Sequence, residues 1–226
     1  MDLDNNFYTF TKQNHHMKKV LFILVACMSL TVFAQDGKYE KGMAKAFELW
    51  KDGQPWEAAN LFERIAQAEP DNWLPPFYVA QVNVLYSFSE KDEEKLTAQL
   101  KKAQDFLNDA KALSKDNPEI LVLQAQLHTA WIVFDGAKYG MTLSPIINQL
   151  YDEAYKLEPG NPRVAFGRVE WKLGTARFFG QDTKPFCEEL KQAVALFDTY
   201  ETKGAFYPNG GGDYARQSLA QNCKEE

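Results

Sequence analysis

The chain has 226 residues, 45% hydrophobic, 14% aromatic and 25% charged, with 25 Lys plus Arg against 31 Asp plus Glu and a net charge of −6. That composition describes a globular chain with material for a large core and excludes a disordered or low-complexity one. The acidic balance argues against nucleic acid and against anionic membrane surfaces, because phosphate binding needs a basic footprint.

The first stretch to interpret is MKKVLFILVACMSLTVFAQ, residues 17–35. Two lysines precede an apolar run from Val20 to Ala34, and small residues precede Gln35, which is the order of a secretory signal peptide. The run is 15 residues, short of the roughly 20 that a spanning helix needs. We therefore expect a signal peptide over 17–34, cleavage near Ala34, a start at Met17 and a disordered extension over 1–16. Leu24 to Cys27, LVAC, resembles a lipobox and makes Cys27 a candidate for lipidation; the other reading is a hydrophobe in a discarded segment. Cleavage removes three lysines and two aspartates and leaves a net charge of −7. The expected location is the periplasm or the exterior, with a lipid anchor only if Cys27 is acylated, and with no transmembrane helix in the mature chain.

From residue 38 onward the pattern is helical. Residues 38–53 place Met43, Phe47 and Trp50 at helical spacing and end at Gly53. Residues 55–70 open with Pro55, carry Ala58, Leu61, Phe62, Ile65 and Ala66 on one stripe, and close at Pro70. A helix from Trp73 is apolar nearly all round, with Pro75 and Pro76 in its first turn, where proline is tolerated. Its amphipathic partner over 93–115 shows Leu96, Leu100, Ala103, Leu107, Ala110 and Leu113. Asn117-Pro118 then reads as a cap followed by a first-turn proline, opening a buried helix. A Gly-containing loop over 135–143 leads to Ser144-Pro145 as the cap of the next helix, and Asn161-Pro162 repeats the device. Breaks are expected over 87–93 and 174–184, with an eighth helix after 184. A flexible connector around Gly210 to Gly212 follows, and Asp213 caps a last short helix. Nothing reads as strand.

The three asparagines that close one hairpin and open the next, Asn72, Asn117 and Asn161, are 45 and 44 residues apart. Each hairpin keeps apolar surface after its two helices pair, and stacking hairpins buries it. The expected architecture is all-α, an α-solenoid of about four helical hairpins plus a short C-terminal helix, as one domain over 38–223. The spacing of Ala58, Phe62 and Pro70, matched in part by Tyr151, Ala154 and Pro159, resembles the tetratricopeptide repeat, or TPR. The period exceeds that family's and also suits HEAT or armadillo repeats. The resemblance covers roughly 39–200. It implies a non-catalytic scaffold whose first helices line a surface for an extended or helical segment of another protein.

Chemistry-bearing residues are few. The mature chain has one histidine, His128, inside an apolar helix with no serine within nine residues. There is no HExxH, close cysteine pair or EF-hand spacing, and the glycines before 213 lack the Lys-Ser/Thr of a phosphate loop. No cofactor and no metal are expected. Candidate peptide-binding residues are the polar ones on the first helices: Gln81, Asn83, Gln124, His128, Arg168 and Lys172, with Arg177 extending a basic spot. Their bland alternative is ordinary surface residues bridged to neighbouring acids such as Glu170. Cys187 and Cys223 survive cleavage into an oxidising compartment and are either a disulfide, worth roughly 3–4 kcal/mol by loop entropy, or two separate thiols. The function expected is therefore an exported scaffold for a protein or peptide partner in the envelope. The alternatives are an envelope lipoprotein of an assembly complex, and a small-ligand binder or enzyme using a pocket shaped by Trp171, Phe178, Phe179 and Phe186.

Overall fold

The computed structural model describes residues 37–223; the extension 1–16, the signal-peptide segment 17–34 and Cys27 lie outside the described residues. The chain divides into two compact units, Met1–Lys45 and Ala46–Glu226. Of the first, residues 37–45 are described and are helical. The packing of helices belongs to the second unit.

The fold is all-α, a solenoid-like array of helical hairpins, with no strand among the described residues. Helix α1 covers 37–51, and α2 Pro55–Ala68, α3 Leu74–Ser87, α4 Glu93–Leu113 and α5 Pro118–Phe134 follow. Next come α6 Gly136–Leu157, α7 Pro162–Phe178, a 3-10 turn Lys184–Phe186, α8 Cys187–Thr199 and α9 Gly212–Asn222. Sequential helices pair: α3 with α4, α5 with α6, α7 with α8. The first helices also pack on one another, α3 on α5 and α5 on α7. They form an inner layer, which is why α3 and α5 are apolar on nearly every side.

The recurring asparagines have one structural job. The Oδ1 atoms of Asn72, Asn117 and Asn161 accept from the backbone N–H two residues on, at Leu74, Glu119 and Arg163, at 3.0, 3.0 and 2.9 Å. Each thereby satisfies a donor that the helix start leaves open. Pro118 and Pro162 follow at the first helical position, where a missing N–H costs nothing.

Three local expectations are corrected. Residues 136–143 are not a loop and Ser144 is not a cap: α6 runs unbroken through Pro145. One residue, Asp135, both ends α5, donating its N–H to the Trp131 carbonyl, and caps α6, accepting from the Lys138 N–H at 3.0 Å. Pro145 has no N–H for the Met141 carbonyl, and Met141 lies 93% exposed, so the missing helix bond falls on the solvent side. The break expected from 174 begins only after Phe178. Finally, α9 is capped not by Asp213 but by Gly211 at φ 109°, a left-handed conformation that glycine adopts freely. Asp213 instead pairs with Arg216 at 2.9 Å.

Two glycines in α7 make opposite predictions. A methyl group on Gly167 would lie 2.8 Å from Cε1 of the buried Tyr151 ring, whereas nothing stands within 4 Å of one on Gly174. Gly167→Ala is expected to destabilise by about 1–3 kcal/mol through overpacking. Gly174→Ala is expected to stabilise by roughly 0.5–1 kcal/mol, the helix-propensity gain. Urea denaturation of the two variants checks both signs.

Candidate functional site

Most of the polar residues expected on a binding face are engaged by other parts of the chain. Asn83 is buried, and its side-chain amide donates to the Val79 carbonyl at 2.8 Å while its main-chain carbonyl accepts from the Gln99 side chain. Gln81 is buried as well. Gln124 exchanges two amide hydrogen bonds of 2.8 Å with Gln104 on α4 and reaches Nε2 of His128 at 3.2 Å. Desolvation holds the His128 imidazole below the usual histidine range.

The basic spot is internally neutralised. Arg168 bridges Asp152 and Glu189, both at 2.9 Å, and lies over the Tyr155 ring. Lys172 meets the same Glu189 at 2.8 Å, and Arg177 meets Glu170 at 2.9 Å. Arg168 and Lys172 thus tie α7 to α6 and α8, and Arg177 pairs within α7 and reaches Asn222 of α9, rather than standing ready for a carboxylate in trans. Among the described residues no three His, Cys, Asp or Glu side chains gather to hold a metal.

A connected polar cluster that sequence reading missed lies between α5, α7 and the segment after α8. The fully buried Glu119 receives Arg163 Nε at 2.7 Å on one carboxylate oxygen and Asn161 Nδ2 at 2.8 Å on the other. Asn161 Nδ2 also reaches Glu158 at 3.2 Å, and Glu158 accepts from the Tyr200 hydroxyl at 3.0 Å and from Lys203 at 2.9 Å. Burial, followed by the neighbouring Glu158, pushes the Tyr200 phenol above its ordinary range. Glu119 and Arg163 are 44 residues apart, the repeat spacing, so equivalent positions of adjacent hairpins carry opposite charges. The signal in the sequence is that each lies two residues after a capping asparagine.

The aromatic run expected to shape a pocket splits. Phe186 packs onto the core of α7 and α8, and the Trp171 indole, half-buried, donates to Asn148 at 2.7 Å. Phe178 and Phe179 remain 74% and 66% exposed at the end of α7, edge to face with centroids 5.1 Å apart. Phe178 lies beside the α5–α6 turn: a methyl group on Gly136 would touch its ring at 4.0 Å. Within five residues of Gly136, Val133 and Met141 are 61% and 93% exposed. The end of α7 and the α5–α6 turn therefore expose apolar side chains, and contiguous apolar patches on a protein surface mark interaction sites.

Cys187 and Cys223 form a disulfide, S–S 2.00 Å, which joins the start of α8 to the end of α9. No described helix is long and apolar enough to cross a membrane.

The fold and surface thus define an all-α hairpin array with an apolar end and no assembled catalytic group among the described residues. No family model and no curated protein matches the chain. Among solved structures it is similar to the HusA haemophore from Porphyromonas gingivalis, with a TM-score of 0.68 and 22% identity over 83% of this chain and 92% of that one. At that identity the two share a fold.

Proposed function

We propose that this chain is an exported, non-catalytic binding protein that captures a flat apolar ligand of the tetrapyrrole class on the surface formed by the α5–α6 turn and the end of α7. The observation that carries the reading is the exposed Phe178–Phe179 pair beside Gly136. With the rings at 87°, one offers a face for stacking while the other walls its edge. Similarity to a haemophore supports the ligand class. Export is supported by the leader-like segment 17–34 and by a disulfide, a bond kept in oxidising compartments. The pairing of sequential helices into hairpins supports a rigid scaffold under this surface.

Haemin titration tests the reading. The mature chain is expected to shift the Soret band of haemin with saturation. Phe178→Ala with Phe179→Ala, both exposed and so without effect on folding, is expected to weaken binding at least ten-fold. A wild-type chain that leaves the haemin spectrum unchanged, or a double variant that binds equally well, sinks the proposal.

A further inference from the structure

Residues 200–211, between α8 and α9, cross the face made by the first helices. The Phe206 ring stacks on Phe47 of α1, centroids 5.8 Å apart and 8° from parallel. The Phe206 carbonyl accepts from the Tyr78 hydroxyl of α3 at 2.7 Å. Tyr207 meets Trp73, at the start of α3, edge to face at 5.9 Å, and Pro208 is buried. Further along, the Gly210 carbonyl accepts from Arg163 Nη1 of α7 at 3.0 Å. Side chains of three first-layer elements thus hold two main-chain carbonyls and two rings of one stretch that turns at Ala205–Phe206, where the Tyr207 N–H returns to the Gly204 carbonyl at 3.2 Å.

This is how a protein can hold a short peptide segment: hydrogen bonds to the main chain, and ring contacts for particular side chains. The stretch is not relaxed in that position. Phe206 sits at φ 60°, a region that a bulky residue adopts only when its surroundings hold it there. It is also confined at both ends, by Tyr200 on Glu158 and by the Cys187–Cys223 bond. It can lift as a loop but not swing away as an arm.

We propose that the face made by Phe47, α3 and α7 is a binding site for a turn-forming peptide segment with adjacent aromatic residues, and that residues 204–210 are its resident occupant, competing in cis with such a segment of a partner. Tethering gives the resident a high effective concentration, so a partner gains access only when the resident is weakened or displaced. The unfavourable backbone at Phe206 lowers the barrier to that exchange.

The test uses a fluorescein-labelled peptide of the chain's own sequence, GAFYPNG, residues 204–210, followed by polarisation. Phe206→Ala with Tyr207→Ala is expected to bind it at least ten-fold more tightly than wild type. A peptide with both aromatics replaced by alanine is expected not to bind. Tyr207→Ala alone removes one ring and leaves the Phe206 backbone as it is, which supplies a milder variant should the double variant not fold, and it is expected to shift affinity in the same direction. The inference is overturned if the variants that retain native circular dichroism take up the peptide no better than wild type. Haemin binding by these variants is expected to be unchanged, so this inference and the haemin reading fail separately.

Discussion

Glu119→Ala is expected to be among the most destabilising single substitutions in the chain. The carboxylate is fully buried and the Arg163 side chain is 11% exposed, with 2.7 Å between them. Removing one partner leaves a guanidinium in a water-poor site without its counter-charge, which costs about 3–5 kcal/mol. In a domain of this size each kcal/mol lowers Tm by roughly 2–4 °C, so a fall of about 10–15 °C is expected. Glu119→Gln is expected to do little better, because it keeps the shape and loses the charge. Replacing both residues, Glu119→Leu with Arg163→Met, should recover part of the loss, since a well-packed apolar pair often matches a buried ion pair. It will not recover all of it, because Asn161 Nδ2 and the Gly210 carbonyl also lose partners. A double-mutant cycle by urea denaturation gives the coupling directly. Additive effects of the two substitutions would show that the pair contributes nothing of its own.

The second large effect is expected from Cys187→Ser with Cys223→Ser. The bond closes a loop with a sequence separation of 36, and the chain-entropy model assigns such a loop about 3–4 kcal/mol. The expected fall in Tm is again roughly 10 °C, and wild type in excess dithiothreitol should melt with the double variant. The loss should be felt first in α9, which packs on α8 and whose far end the bond secures. Amide exchange over 200–222 is therefore expected to accelerate before exchange in α3 and α5. Uniform acceleration along the chain would show that the C-terminal hairpin does not open on its own.

The boundaries of the array were legible because they depend on local chemistry. An asparagine followed by proline offers its Oδ1 to the backbone N–H two residues on, and Asn117 and Asn161 both do so, Asn161 accepting from the Val164 N–H as well. The all-round apolar character of α3 and α5 announced an inner layer for the same reason: a helix with no polar face has to be covered by neighbours on every side. The α6 start was misread because Ser144-Pro145 carries the composition of a cap. Asp135, the residue that actually caps, follows an apolar run with no proline behind it. Glu119 was unremarkable as a first-turn acid, a favourable place for one on any helix. Its burial against Arg163 follows only from stacking the third hairpin on the fourth.

By itself the sequence determined the all-helical character, the hairpin punctuation and the period of about 45 residues, since capping, proline placement and 3.6-residue periodicity act over a few neighbouring residues. Only the tertiary structure decided which polar residues are available. Arg168, Lys172 and Gln124 are engaged by acids and amides 16 to 21 residues away, while Phe178 and Phe179 are left in solvent and Phe206 is carried back onto α1. Those outcomes depend on the angle and register at which one hairpin settles on the next, and that is the sum of many weak contacts that no short stretch of chain encodes.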